Sequence, residues 1–102
     1  MEFLQNIGTN HPPVEEAEVK VDLRGMEKEP ALEKLDHVVK YCKRSSSKTL
    51  YVTFDPVRPG AGETLFQPVA RYFKFEKYNG YIVNAVPVMR DESGGFFVTF
   101  KL

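Results

Sequence analysis

The sequence predicts an α/β fold of the α+β two-layer sandwich type, with a four-stranded mixed sheet and two helices in the order β-α-β-α-β-β. Three observations lead to it. Short β-branched and aromatic runs alternate with two segments whose apolar residues recur every three or four positions. The last two apolar runs flank a glycine-containing turn, which is typical of a hairpin. The chain has 102 residues, 42% of them hydrophobic, enough for one domain with a core.

The first half of the chain supplies an arm, a strand and a helix. Residues 1–17 show no sustained period and are predicted to form a flexible arm, so that the domain spans 18–102. EVKVDL at 18–23 alternates apolar and polar residues, as a half-buried strand does. Residues 30–42 carry an apolar stripe at helical spacing, with Pro30 suited to the first turn.

The second half supplies a strand, a helix and a hairpin. TLYVTF at 49–54 is rich in β-branched and aromatic residues, which predicts a strand buried on both faces. Thr64 and Gln67 fit a capping box, but Pro68 allows the helix to begin at Gln67 or Pro68 instead. Residues 81–86 and 96–102 read as strands, and RDESGG between them reads as their turn.

Charge is balanced overall but not along the chain. Residues 1–36 hold four Lys/Arg against nine Asp/Glu, a balance of −5. Residues 37–90 hold nine against three, a balance of +6, and the last twelve hold one against two, which brings the sum to zero. No global field draws the protein to nucleic acid, yet the middle of the chain can present a basic face or an ordinary solvated surface.

The cysteine count and the hydropathy of the chain bear on its cellular location and on possible metal sites. Cys42 has no partner in the chain, which excludes an internal disulfide and a cysteine-built zinc site, and its place in the helical stripe predicts a packing role. MEFLQNIGTN is too short and too polar for a secretory signal, and no apolar run approaches the length of a membrane span. We therefore expect a cytoplasmic protein with no membrane partner.

Two loops carry the candidate site. VDLRG at 21–25 and RPGAG at 58–62 each follow a predicted strand and precede a predicted helix, so both are expected at the carboxyl ends of the strands. Glycines let the backbone approach a phosphate, and arginines add charge-assisted bonds. Three residues of the second loop are assigned to phosphate binding: Arg58, Gly60 and Gly62. The alternative is that these glycines only make turns.

Asp22 and Arg24 are the candidate catalytic residues of the first loop. They stand on either side of the apolar Leu23, on the open face of the strand. Asp22 can accept a proton, hold a metal or orient an arginine. The structural alternative is a local ion pair at the strand end.

The motifs VDLRGMEKEPALEKLD, the glycine-rich turn before an L-x-x-x-V helix, and the final strand after SGG together resemble the small MutS-related (Smr) domain. The family pattern runs L-D-x-H/R-G-x-x-x-x-x-A-L, then H-G-x-G before a helix, then G-G with a last apolar strand. The resemblance covers about Val19 to Leu102. The arginine form looks like the domain at the C-terminus of the second bacterial MutS class.

The resemblance implies a nucleic-acid-binding fold similar to the C-terminal domain of translation initiation factor three, often with nicking endonuclease activity. Asp22 and Arg24 match the first motif, and 59–62 lie over H-G-x-G, where Pro59 replaces the histidine. The turn is one residue short before Leu65, and the family's third glycine is missing. Asp22, alone or with Mg²⁺, is then the remaining source of an activated water.

Other cations extend the predicted nucleic-acid surface: Lys43, Arg44, Lys48 and Arg71. Aromatic residues between 72 and 81 are predicted to be mostly core, with Tyr78 as the exposed exception. His37 and His11 are expected to be exposed and without a catalytic role. Three functions remain open. The first is a DNA- or RNA-binding Smr-like protein with nicking activity, and the second is a non-catalytic module that binds structured RNA or a ribosome-associated partner. The third is a module that binds a protein partner through its arm or an exposed sheet edge.

Overall fold

The computed structural model describes residues 13–56, 64–90 and 92–101. Within them the chain forms four strands and two α-helices in the predicted order, preceded by a single turn of 3₁₀ helix. No helix in these three ranges is both long and apolar enough to cross a membrane. The elements are the 3₁₀ turn Val14–Glu16, β1 Val19–Asp22, α1 Lys28–Ser45, β2 Thr49–Phe54, α2 Phe66–Tyr78, β3 Ile82–Met89 and β4 Gly94–Phe100.

The strands form one mixed sheet in the order β1-β2-β4-β3, which confirms the predicted fold class. β1 and β2 run parallel, as a strand-helix-strand unit requires, and β4 runs antiparallel to both of its neighbours. The sheet therefore has two distinct ends. At its carboxyl end β1 and β2 finish, and at its amino end β4 finishes and β3 begins.

Helix α1 extends beyond its apolar stripe at both ends. It begins two residues before Pro30, which occupies the first turn and so removes no helical hydrogen bond. It ends at Ser46, whose φ of 57° is left-handed, and Ser47 N–H donates to the Cys42 carbonyl at 3.0 Å. Cys42 is fully buried, which confirms its packing role and raises the pKa of its thiol.

Helix α2 accommodates Pro68 without a break. The helix begins at Phe66, so Pro68 is its third residue, and the first bond closes one position later from Val69 N–H to the Leu65 carbonyl. A proline in the first turn lacks only a donor that would have been unpaired. The Thr64 hydroxyl accepts the Phe66 N–H at 3.4 Å, but Leu65 is the N-cap, so the predicted capping box does not form. The helix begins one residue before Gln67 and two before Pro68.

Both helices cover the same face of the sheet. Their buried stripes meet alternate residues of the strands in one apolar core, and burial of this apolar surface is the main stabilising contribution. The core residues are Val21, Leu23, Ala31, Leu35, Val39, Cys42, Leu50, Val52, Phe54, Leu65, Val69, Phe73, Ile82, Phe96, Val98 and Phe100.

The other face of the sheet is covered by the end of the predicted arm. Val14 in the 3₁₀ turn is buried against Tyr51, Val88 and Phe97. β2 is thus covered on both faces, as predicted, but by helices on one side and by this turn on the other. A flexible arm was predicted for residues 1–17, and the end of it, with Val14 and Ala17, is instead packed on the sheet. Residues 1–12 lie outside the described residues.

Two glycines of the SGG motif make room for aromatic rings. A Cβ at Gly94 would lie 2.7 Å from a ring carbon of Phe54, and one at Gly95 would lie 2.4 Å from the Val52 carbonyl oxygen and 3.1 Å from the Tyr51 ring. All three distances are shorter than van der Waals contact, so Gly94 and Gly95 of β4 have no space for a side chain. The Gly-Gly pair is accounted for by packing of the sheet.

Candidate functional site

The two predicted loops begin at the same end of the sheet. Gly25, in the loop after β1, has a left-handed φ of 78°, and its N–H donates to Asp55 Oδ2 at 2.8 Å, just after β2. Asp55 therefore fixes the two strand ends to each other. The rest of the second loop, with Arg58, Pro59, Gly60 and Gly62, lies outside the described residues, as does His11.

Asp22 and Arg24 form an ion pair on the open side of β1. Arg24 donates from Nε to Asp22 Oδ1 and from Nη2 to Oδ2, each at 3.0 Å, and its backbone N–H also donates to Oδ1. The Thr53 hydroxyl lies 3.1 Å from the same oxygen. Leu23, between the two charges, is fully buried and anchors them. This geometry agrees with the structural alternative for these two residues, a local ion pair at the end of the strand.

The ion pair makes Asp22 a weak base. Hydrogen bonds from the Arg24 side chain and backbone lower the pKa of Asp22 from 3.8 to about 2. The carboxylate in turn raises the pKa of Arg24, with smaller contributions from the charges of Asp55 and Glu92. A group with a pKa near 2 holds a proton too weakly to activate water near neutral pH.

Asp22 also does not fit a Mg²⁺ ion. Both carboxylate oxygens already accept hydrogen bonds, and the nearest charge is the Arg24 guanidinium. No group of three or more Asp, Glu, His or Cys side chains within the described ranges is placed to hold a metal. A hydrated Mg²⁺ needs carboxylates that are free to meet it, so we derive no metal-dependent step here.

Asp22→Asn is expected to lower the free energy of unfolding by about 0.5–1 kcal/mol at pH 7, because the pair is half-exposed and screened by water. The folded-state pKa of Asp22 lies below its ordinary value, so its contribution is present above pH 3.8 and is lost as the pH falls toward 2. The difference in urea unfolding between parent and variant should therefore shrink from pH 7 to pH 2.5.

Glu33→Gln is the control for this measurement, since Glu33 is exposed on α1 and forms no ion pair with another described residue. It should leave stability unchanged at both pH values. An Asp22→Asn variant that unfolds like the parent but loses a nicking activity which the parent possesses would contradict the ion-pair role and restore the catalytic one.

Charges of both signs are mixed at the carboxyl end of the sheet, where the described residues include Asp22, Glu27 and Asp55 together with Arg24, Lys28 and Lys34. A cavity of about 370 Å³ opens there between the loop after β1, the end of β2 and the start of α2. Its lining includes Glu27 and Asp55 but only one cation, Lys28. Such a surface repels a phosphate as much as it attracts one. The described part of this cavity therefore gives little support to a phosphate site.

Cations gather instead at the amino end of the sheet, where residues distant in sequence meet. Phe100 N–H donates to the Lys48 carbonyl, which brings Lys101 beside Lys48. Lys101 N–H donates to the Tyr81 carbonyl, which places the end of α2 next to both. We call five exposed cations of this region the basic surface, and none of them forms an ion pair with another described residue: Arg44, Lys48, Lys74, Lys77 and Lys101.

Lys43 lies at the centre of this region but is already engaged. Its Nζ is 2.8 Å from Oε1 of the nearly buried Glu76 and 3.7 Å from the centre of the Tyr81 ring. That carboxylate oxygen is buried and has no other hydrogen-bonding partner among the described groups. Lys43 therefore joins α1, α2 and the start of β3. The prediction that it binds phosphate is not supported by this geometry.

The aromatic prediction was wrong for two residues. Tyr78 is 87% exposed, as expected, but Phe75 and Tyr81 are also exposed, at 61% and 49%. Phe75 projects from the outer side of α2, and Tyr81 follows the left-handed Gly80 that ends the helix. Phe75 lies off the buried stripe that α2 presents to the sheet, and Tyr81 lies between the helix and β3, so neither side chain enters the core. Tyr78 and Tyr81 add aromatic area next to the basic surface.

Arg71 lies apart from the other predicted nucleic-acid residues. It lines an outer groove between the helices together with Lys28 and Phe75, well before the C-terminal turn of α2. The predicted set thus separates into the carboxyl end, the amino end and this groove. His37 is exposed on α1, as expected.

Sequence reasoning missed Lys74, Lys77 and Lys101 as members of one surface with Arg44 and Lys48. The sequence feature that could have revealed this surface is the excess of positive charge over residues 37–90, a balance of +6 from nine Lys/Arg and three Asp/Glu. The pairing of β4 with β2 places Lys101 beside Lys48, and only the sheet topology gives that pairing.

The fold and its surfaces define the class of protein as a small α+β domain with a mixed four-stranded sheet, one end of mixed charge and one basic end. Comparison with protein-family models, curated protein sequences and solved structures gives no match. The resemblance to the Smr domain therefore depends on the sequence motifs, of which VDLRG and SGG fall on described residues.

Proposed function

We propose that this chain is an Smr-like cytoplasmic protein that binds DNA or RNA through its basic surface. The observation that carries the proposal is the convergence of five cations from three separate parts of the chain on one end of the sheet. None of the five forms an ion pair with another described residue, although the Glu18 carboxylate at this end accepts the backbone N–H of Lys48. A phosphate backbone is the ligand that such an unpaired cationic surface fits best.

The proposal is for binding without Asp22-dependent cleavage. The Smr resemblance implies nicking, but Asp22 is occupied by Arg24, its pKa is about 2, and it lies at the opposite end of the sheet from the basic surface. Hydrolysis of a phosphodiester needs an activated water beside the bound phosphate. The described carboxylates nearest the basic end are already engaged, Glu76 with Lys43 and Glu18 with the backbone N–H of Lys48.

The test is a titration of labelled single- and double-stranded oligonucleotides from 50 to 200 mM salt. Four phosphate contacts would lower the affinity for a single strand about fiftyfold over this range, because the slope of log affinity against log salt is about −0.7 per contact. Replacing Arg44, Lys48 and Lys77 together by glutamine should weaken binding at least about tenfold at 50 mM salt and flatten the slope.

The matched control replaces Lys28, Lys34 and Arg90 by glutamine, which removes the same charge away from the amino end. It should bind nearly as well as the parent protein. Absence of any binding at low salt would reject the nucleic-acid proposal and favour a module that binds a protein partner through its arm. The parent protein and the Asp22→Asn variant are also incubated with supercoiled DNA and with RNA, with and without Mg²⁺. Any cleavage should be the same for the two proteins.

A further inference from the structure

The exposed side of α2 carries cations and aromatic rings at a regular spacing. Each of three cations is followed four residues later by an exposed aromatic residue. The first two pairs lie wholly within the helix, and the last ring follows the helix after Gly80. We call the three pairs the cation–ring track: Arg71 with Phe75, Lys74 with Tyr78, and Lys77 with Tyr81.

The track is free of internal partners within the described part of the chain. None of its three cations forms an ion pair with another described residue. Glu76 is the one acidic residue of α2, and its nearly buried carboxylate is held by Lys43. The one cation–π contact among the described residues places Lys43 over the ring of Tyr81. The cations of the track and the rings of Phe75 and Tyr78 are therefore available to a ligand.

This pattern fits a partner that itself repeats one anion and one flat ring. Consecutive pairs are three residues apart, about 4.5 Å along the helix axis at 1.5 Å per residue. A single nucleic-acid strand offers one phosphate and one unpaired base per unit, and bases stack on aromatic side chains while cations hold the phosphates. In a duplex the bases are already stacked and paired. A second copy of the track would be repelled, because the track has no acidic residue.

The direction of the track distinguishes a flexible strand from a flat anionic surface. Three residues correspond to about 300° around an α-helix, so each pair is turned by about 60° from the one before it. The first pair lines the outer groove between α1 and α2, whereas Lys74 and Lys77 line the groove beside β3. A helix that lies on a membrane buries one face in one plane. A single strand can follow the turn of the track.

We propose that the cation–ring track binds single-stranded nucleic acid, with unpaired bases stacked on Phe75 and Tyr78 and the neighbouring phosphates at Arg71 and Lys74. This inference rests on the proposed function and deepens it, because the basic surface holds phosphates and the track adds the rings that select unpaired bases. Lys74 and Lys77 belong to both, so the strand continues from the basic surface along α2 to the outer groove. Arg71 then belongs to the same interface.

The experiment compares a 12-nucleotide poly-dT strand with an abasic strand of the same phosphates by fluorescence anisotropy. The abasic strand should bind at least about tenfold more weakly, the change expected for loss of one or two stacked bases. Phe75→Leu/Tyr78→Leu removes both rings at exposed positions without changing charge. It should weaken poly-dT binding at least about tenfold and leave the affinities for the abasic strand and for a poly-dT/poly-dA duplex unchanged. The matched control Phe75→Tyr/Tyr78→Phe keeps both rings and should bind poly-dT like the parent.

Arg71→Gln tests how far the strand extends along α2. Loss of one phosphate contact should reduce the slope of log affinity for poly-dT against log salt by about 0.7. Lys34→Gln is the control, since Lys34 lies at the carboxyl end of the sheet, 3.5 Å from the Asp22 carbonyl oxygen, and it should keep the slope of the parent. An Arg71→Gln variant with the parent's slope would overturn the extension to the outer groove.

The remaining outcomes separate this inference from the proposed function. Equal, salt-sensitive binding of poly-dT and the abasic strand, unchanged in the double-leucine variant, would overturn the track inference and leave the proposed function standing. Absence of all binding would reject both. Vesicles of phosphatidylcholine and phosphatidylserine are the membrane probe. Vesicle binding that the double-leucine variant loses, while its affinity for poly-dT stays that of the parent, would assign the rings to an anionic membrane surface instead.

Discussion

Gly95→Ala is expected to lower the free energy of unfolding by about 2–3 kcal/mol, because the added methyl has no space on the β2 side of β4. Its carbon would lie 2.4 Å from the Val52 carbonyl oxygen, a backbone atom within the β2–β4 ladder that cannot move without disturbing the pairing. Urea unfolding followed by circular dichroism measures the change, and nucleic-acid affinity of the folded fraction should stay unchanged.

Gly80→Ala is the matched control for this prediction. A Cβ at Gly80 meets no atom within 4 Å, so its only cost is the left-handed φ of 84°, about 1 kcal/mol. A Gly95→Ala variant no less stable than Gly80→Ala would show that the sheet accommodates the methyl group. A variant that stays stable but loses binding would assign the Gly-Gly motif to the ligand instead of to packing.

The order of elements was predictable because each period has one structural cause. An apolar residue at every second position can be buried only by a strand, and one at every third or fourth position only by a helix. The ends were less predictable, since α1 continues for three polar residues after Cys42 until the left-handed Ser46 ends it. The spacing of apolar residues does not show how far a helix continues through polar residues.

The site was less predictable than the fold, for a physical reason. The spacing of Asp22 and Arg24 indicated their shared exposure but not that the guanidinium would bind both carboxylate oxygens. The glycines and arginines of the loops predicted a site at the carboxyl end of the sheet, where the described charges are of both signs. The amino end is assembled by antiparallel pairing between β2 and β4, and its charges are adjacent only in three dimensions.

Lys43→Met is expected to lower the free energy of unfolding by about 1–3 kcal/mol, because it leaves the Glu76 carboxylate nearly buried without its counter-ion. The side chain of Glu76 is 10% exposed and that of Lys43 is 32% exposed, so water compensates only in part. Lys40→Met is the matched control on the same helix. It breaks an exposed pair with Asp36 four residues earlier, which contributes only a few tenths of a kcal/mol.

The double variant Lys43→Met/Glu76→Leu separates a structural role of Lys43 from a role in binding. Removing both charges replaces the ion pair by apolar contacts, so stability should return to within about 1 kcal/mol of the parent. Its affinity for poly-dT should equal that of the parent, since Glu76 already neutralises Lys43. A double variant that is stable but binds as weakly as the Arg44, Lys48 and Lys77 triple variant would place Lys43 in contact with the phosphates. A single variant as stable as Lys40→Met would show that Glu76 does not depend on Lys43.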